Sequence, residues 1–424
     1  MAIKDMYTAL AEKLDKDYAK LGEESSEVYK RNYIPLPGDF NIIEKEALED
    51  YEKEAGSLAE ELASRGLRFD AIITRTKSIS LSKSITIKEP EKLSEEELML
   101  LFGNSRSDKY LMYVLAHLDK VVVVDAENAD FSASMLAIAP GILNIAVITS
   151  AKGGHKAEVL ELLMSVGKKA QLGLLNVGSV AKGSSATVTA IHDESENCTV
   201  LSFASNVSAG SSSFVLNSAY LGGSIVHARN MISANGFGDY AGLNDMGLCT
   251  VRQQMDILNY ITNGAEGTKT EVHSKAVAQG DSKCIMKGFA KIEKGAKNST
   301  SYIYQRGISI DRSSYIEALP DMSIDESMVK ATHSSAVAPI DENSLFYIMS
   351  RGLDYDASAR LLLFSFLGDI VSRLESNYAR IIAVSLIEKK LAGAAQHHIP
   401  EINAGMTPVF SKAEGIEEHY KYNR

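Results

Sequence analysis

Residues 199–248 read TVLSFASNVSAGSSSFVLNSAYLGGSIVHARNMISANGFGDYAGLNDMGL, and the fold class turns on this stretch. Only Arg229, Asp239 and Asp245 carry charge in these fifty residues, whereas a chain with 23% charged residues would place roughly a dozen there. Ser, Gly and Asn fill 21 of the fifty positions. Short apolar runs, Val200 to Phe203 and Phe214 to Leu216, stand between them as strand signals bounded by turn residues. A long β-rich, charge-poor stretch has two physical solutions. It is a sandwich with regularly alternating strands, or a parallel solenoid whose coils stack strand on strand and align small side chains at the corners. The scarcity of charge favours stacked coils, each covered by its neighbours. No short fixed repeat decides the matter.

The same character extends outward, from the apolar strand Val121 to Val124, through Ile145 to Ile148 and Leu172 to Leu175, as far as about Ala331. Residues 131–151 carry no charge, but Pro140, Gly141 and Asn144 interrupt the middle. That centre predicts two buried strands around a Pro-Gly turn and not a membrane helix. Helical zones flank the β zone. Leu48, Tyr51, Ala55, Leu58 and Leu62 step by three and four, the period of one buried helix face, with Asp39 expected as N-cap and Gly66 as terminator. Shorter helices are expected over 93–102 and 108–117. After Asp341 a short helix closes at Gly352. A longer one from Asp356 carries the stripe Leu363, Phe366, Leu367, Ile370, Val371 and Leu374, and another spans 377–391. The expected organisation is a helical N-terminal region over 1–107, a β body over 108–335 and a helical C-terminal region over 336–424.

At 424 residues the chain is too long for one bare compact core. Its 44 Lys and Arg against 55 Asp and Glu give a net charge of −11, which argues against nucleic acid or an anionic membrane as partner. Charges scattered through the first twenty residues leave no apolar run of signal-peptide length, so a cytoplasmic location is expected. Cys198, Cys249 and Cys284 form no CxxC pair, and buried inert thiols are the default for all three. The Gly-rich stretch Gly236 to Ala241 has dinucleotide-fingerprint spacing but no surrounding βαβ unit, so a solenoid corner is the better account. Ser150 to Ala157 lacks Walker A spacing, none of the nine histidines forms an HExxH motif, the His397-His398 pair reads as a turn, and no GxSxG elbow appears. The chain is expected not to be an enzyme.

From Ala318 the sequence reads ALPDMSIDESMVKATHSSAVAPIDENSLFYIMSRGLDYDASARLLLFSFLGDIVSRL. In order, Pro320, Val329-Lys330, His333, Ile340-Asp341-Glu342, Leu345-Phe346-Tyr347, Ser350-Arg351-Gly352 and the helix beginning near Ala357 closely resemble the C-terminal signature of the SufB/SufD family of iron-sulfur cluster assembly proteins. Weaker similarity surrounds Asp108 to Leu111, so the resemblance spans roughly residues 105–390. It implies a mainly β fold, a right-handed parallel β-helix flanked by helical N- and C-terminal regions. It also implies a scaffold in a complex with a separate ABC-type ATPase, docked through the C-terminal helices, and with a SufB-like chain or a second copy paired through the β-helix.

Members of the SufB branch carry a late Cys and a Glu directly after the His. Here no Cys follows Cys284, Gln305 and Ser314 stand upstream, and Ser334 follows His333. These departures resemble the SufD branch. The resemblance therefore implies His333 as the cluster-assembly interface residue, a metal ligand shared with a partner chain, because neutral imidazole suits iron. Phe346, Tyr347 and Arg351 are the expected partner contacts. No tightly bound cofactor is expected, only a transient iron-sulfur cluster at a subunit interface. Two alternatives remain: a homodimeric scaffold ligating through Cys198, Cys249 or Cys284, and a β-helix enzyme acting on polysaccharide, which would need clustered acids in a cleft.

Overall fold

A computed structural model describes residues 3–20, 33–38, 48–103 and 108–393. The N-terminal elements are α1 (Ile3–Lys20), α2 (Leu48–Ser64), β1 (Ala71–Ile73), β2 (Ser78–Ser80), β3 (Ile85–Lys88), α3 (Glu95–Phe102) and α4 (Lys109–Ala116). The β body follows as β4 (Lys120–Ala126), β5 (Phe131–Ala151), β6 (Lys156–Val180), β7 (Ser185–His192), β8 (Cys198–Ser208), β9 (Ser213–Tyr220), β10 (Ile225–Ala234), β11 (Tyr240–Cys249) and β12 (Gln254–Asn263). It continues through β13 (Lys269–Ala278), β14 (Lys283–Ile292), β15 (Thr300–Ser309), β16 (Tyr315–Ile324) and β17 (Lys330–Pro339), and the chain then enters α5 (Glu342–Met349), α6 (Tyr355–Arg373) and α7 (Asn377–Leu391).

From β7 onward each strand pairs in parallel with the strand two places away. The even ladder runs β8, β10, β12, β14, β16, and the odd ladder runs β7, β9, β11, β13, β15, β17. The result is a parallel β-solenoid of about eight turns. Ile225 pairs with Gln254 and Gln254 with Lys283, 29 residues apart each time, while Lys283 pairs with Tyr315, 32 residues on. Corners of unequal length thus hide the repeat from any fixed-period reading. The expected mainly β solenoid with helical flanks is what the chain forms.

β5 and β6 each run through a corner. The first half of β5 pairs with the first half of β6 from Phe131 to Pro140, the register shifts, and pairing resumes from Ile142. Gly141, at φ 78°, makes the bend that lets one continuous strand serve both ladders. The two strands expected around Pro140-Gly141 are the two halves of β5. The Gly236 motif is a corner, as expected. The Asp239 carboxylate there accepts from Gly236 N, Ser212 N, Ser212 Oγ and Ser208 Oγ. A Cβ on Gly236 would lie 2.2 Å from Gly210 N, so stacked corners admit no side chain at that point.

Three apolar cores result. The lumen is filled by inward residues such as Leu172, Val200, Phe214, Met255 and Met286. The outer face of the even ladder (Leu175, Leu201, Phe203) packs under α1, α3 and α4, and that of the odd ladder (Leu162, Met246, Val277) under α2, α6 and α7. Strands buried on both faces need no polar alternation, which explains their continuous apolar runs. Arg229, Asp239 and Asp245, the three charges of the opening stretch, are all buried.

The helices expected over 93–102 and 108–117 are α3 and α4, and Ala55, Leu58 and Leu62 form the buried face of α2 as expected. Ser94 and Glu97 form a capping box before α3, and Asp108 caps α4 by accepting from Tyr110 N and Leu111 N. The region expected to be helical over 1–107 also holds β1 to β3, whose three- and four-residue lengths give no periodic signal. The proposed cap Asp39 and the pair His397-His398 lie outside the described residues. Among the described residues no helix is long and apolar enough to cross a membrane.

Candidate functional site at the open end of the solenoid

The two ends of the solenoid differ. At the first end β1 pairs antiparallel with β2, and β4 antiparallel with β3, so the stack starts on reversed strands. At the last end, among the described residues, β16 pairs only with β14, and β17 only with β15. Lys330 N donates to Ser299 O. Alternation along the strand then points the N–H groups of Ala331, His333 and Ser335 at the free edge. On β16, Tyr315 N donates to Ser282 O, so residue 320 also faces the free edge. Pro320 sits there without removing a ladder bond, which is where an edge strand tolerates proline.

His333 pairs with Ile303, whose side chain is fully buried in the lumen. In-register parallel partners share a face, so His333 belongs to the lumen column but, in the last turn, is exposed. By the same register Ser335 stands over Gln305, and Ile316, Ala318, Pro320 and Met322 line the facing β16 wall. The signal for these neighbours was the same stretch that carries His333, but nothing in sequence told inward from outward positions. On the outer face, Arg306 Nη2 donates to Ser334 Oγ at 2.9 Å, and its guanidinium lies 4.2 Å from the Tyr304 ring centroid.

Phe346, Tyr347 and Arg351 lie on α5, which follows β17 directly, and on the turn after it. Phe346 is 75% exposed and Tyr347 60%, while Leu345 is the buried anchor of the helix. Arg351 Nη2 donates to Tyr347 Oη at 2.8 Å and its guanidinium lies over the Tyr347 ring. Met349, Leu353, Tyr355 and Leu361 add further exposed apolar surface on the same helical end. Asp341 caps α5, accepting from Asn343 N and Ser344 N.

The three cysteines are buried, and burial pushes the Cys198 thiol far up; Cys284 is pushed up by its contact with Cys249 and by burial. Among the described residues no group of three or more His, Cys, Asp and Glu converges as a metal site. The family described as "SUF system FeS cluster assembly, SufBD core domain" matches residues 141–366, more than half of the chain. The chain belongs to the SufBD family. Among its relatives, the Bacillus subtilis iron-sulfur cluster assembly protein SufD is 24% identical over 341 residues, covering 79% of this chain and 76% of that protein. An iron-sulfur cluster assembly SufBD family protein of Mycobacterium tuberculosis is 32% identical over 130 residues, 31% of this chain and only 15% of that much longer relative. A SufBD family protein of Porphyra purpurea is 27% identical over 141 residues, 33% of this chain and 29% of its own length. The SufBD match takes in the open end, His333 and α5 together.

Proposed function

We propose that this SufBD protein is a non-enzymatic scaffold subunit of a SUF-type iron-sulfur cluster assembly complex, of the SufD kind, working in the cytoplasm. The observation that carries the reading is the last turn, which no described residue covers: a strand with a free hydrogen-bonding edge and an imidazole on an otherwise interior column. A free, flat edge is a template for another strand. A SufB-like chain, or a second copy, continues the sheet from β17 and covers the lumen column, placing His333 at the junction. Neutral imidazole is a good ligand for iron, and the softer thiolate ligands for a transient cluster then come from the other chain, because the cysteines of this one are buried.

The second surface, Phe346, Tyr347 and the Arg351 that stacks on it, is the docking site for an ABC-type SUF ATPase. Exposed aromatic and Arg side chains are the residue types that dominate interface energetics. ATP chemistry belongs to that partner, since this sequence has no Walker A motif. The test is co-expression with the ATPase and a SufB-like chain. The wild type co-purifies with both. His333→Ala, at an exposed position, keeps the complex intact and lowers cluster formation on anaerobic reconstitution. Failure to co-purify, or full cluster yield from His333→Ala, defeats the reading.

A further inference from the structure

The lumen is not uniformly apolar. Glu161 on β6 lies between Met135 on β5 and Ala190 on β7, all on the inner face, and is fully buried. Across the lumen, on the second half of the same strand, Asn176 donates from Nδ2 to Glu161 Oε2 at 2.9 Å. The other two oxygens, Glu161 Oε1 and Asn176 Oδ1, are sealed from solvent, and no group donates to either. Both are acceptors if the carboxyl is ionised. An unmet buried acceptor costs on the order of 1–3 kcal/mol, more when charged, so two at one contact require an explanation.

The pattern recurs three turns on. Asp245 on β11 lies in the same column, between Ser218 and Ser274. Its Oδ1 accepts from Ser274 Oγ at 2.8 Å and also from Asn259 Nδ2, and Asn259 Oδ1 in turn accepts from Asn230 Nδ2 at 3.0 Å. Asp245 Oδ2 is again a buried acceptor without a donor among the described residues, while the Tyr220 hydroxyl stands beside Asn230. At Glu161 one missing hydrogen accounts for both unmatched atoms.

We propose that the solenoid lumen holds two stored protons, with Glu161 and Asp245 carried as neutral carboxylic acids, the Glu161 carboxyl donating to Asn176 Oδ1. At Glu161 the result is a closed acid–amide ring: the Asn176 N–H donates to the carboxyl C=O, and the carboxyl O–H donates to the amide oxygen. In register with Glu161 stand Met135 and Ala190, and two residues on from Ala190 on the same inner face is His192, whose Nδ1 lies 2.7 Å from Glu194 Oε1. The Tyr220 hydroxyl and the Cys284 thiol interact with Asp245; burial raises the first, and contact with Cys249 together with burial raises the second. Burial raises both carboxyls to about 7, with no cation to oppose it. Because the folded state binds protons that the unfolded chain has lost, this stabilisation is complete below pH about 4 and is lost as pH rises through about 7. The device makes the solenoid body sensitive to pH near neutrality from inside its core, independently of the open end.

Infrared difference spectroscopy on the full chain tests this without any variant. At pH 6 the wild type shows the deuterium-sensitive carbonyl band of protonated carboxyls that are shielded from solvent, and the band fades by pH 8.5. Glu161→Gln presents the same donor and acceptor pair permanently. It removes part of the band, melts like wild type at pH 5 and melts several degrees higher at pH 8; Asp245→Asn does the same for the remainder. Absence of the band at pH 6, or a Glu161→Gln melting temperature well below wild type at pH 5, overturns the proposal and points to ionised carboxylates satisfied by bound water or cation.

Discussion

Asp256 shows how a single buried residue ties the N-terminal segment to the solenoid. Its carboxylate accepts from Arg229 Nη1 at 2.9 Å, lies 3.1 Å from Lys287 Nζ, and accepts from the backbone N of Ile34 at 3.2 Å. Beside this group His227 Nε2 approaches Asp108 Oδ2 at 3.2 Å, so the N-cap of α4 joins the same network. Burial alone would raise Asp256, but Arg229 and Lys287 outweigh it and hold the carboxyl at about 2. A depressed carboxyl stabilises the fold above its unfolded pKa, and that stability is lost as pH falls from about 4 through about 2. Acid titration of the wild type should therefore show a loss of stability in that window, and Asp256→Asn should remove part of the slope. Arg229→Met removes the guanidinium that faces both Asp256 and Asp108 and leaves them only Lys287 and His227 in a dry site, which is expected to cost about 3 kcal/mol in denaturant unfolding. A loss below about 1 kcal/mol would mean that water reaches the network.

At the scale of elements, the decisive contrast is between the two faces of α5. Leu345 packs inward, while Phe346 and Tyr347 project from a helix whose cap is intact, so their truncation removes surface and not core. Phe346→Ala combined with Tyr347→Ala should leave the melting temperature almost unchanged, because exposed substitutions usually fall within about 0.5 kcal/mol. The same double variant should weaken ATPase binding by at least about 2 kcal/mol, some thirtyfold, if these are the interface anchors. Calorimetric titration with the ATPase distinguishes this from a surface that merely happens to be apolar. The helices themselves were legible in sequence because their apolar stripes are local, as in the steps from Ala55 to Leu62. β1 to β3 were not, because strands of three and four residues are held by pairing with distant β4 and β5 and carry too few residues to show a period.

At the scale of the whole molecule, the asymmetry of the ends predicts where association occurs. Ser335→Pro removes an N–H that points to the free edge and leaves the bonds from β17 to β15 in place. The isolated chain should fold with unchanged circular dichroism, while sedimentation shows loss of the self-association or SufB-like pairing proposed for the wild type. Unchanged pairing in Ser335→Pro would move the interface away from β17.

The residues alone determined a β-rich, charge-poor body between helical ends, and the spacing from Pro320 to Gly352 determined the family resemblance, since both depend on local composition and order. Stacking made sense of the missing charges: each turn buries the next, so the three charged residues of the opening stretch had to be buried. Only the tertiary structure decided the rest. Which face of β17 carries His333 depends on register with β15, and a one-residue slip would turn it outward. That Glu161 meets Asn176, 15 residues later on the same strand, depends on a bend at the corner that brings the two halves of β6 face to face across the lumen. Inward and outward positions are set by partners some thirty residues away, through corners of variable length, and no local pattern in the chain encodes that distance.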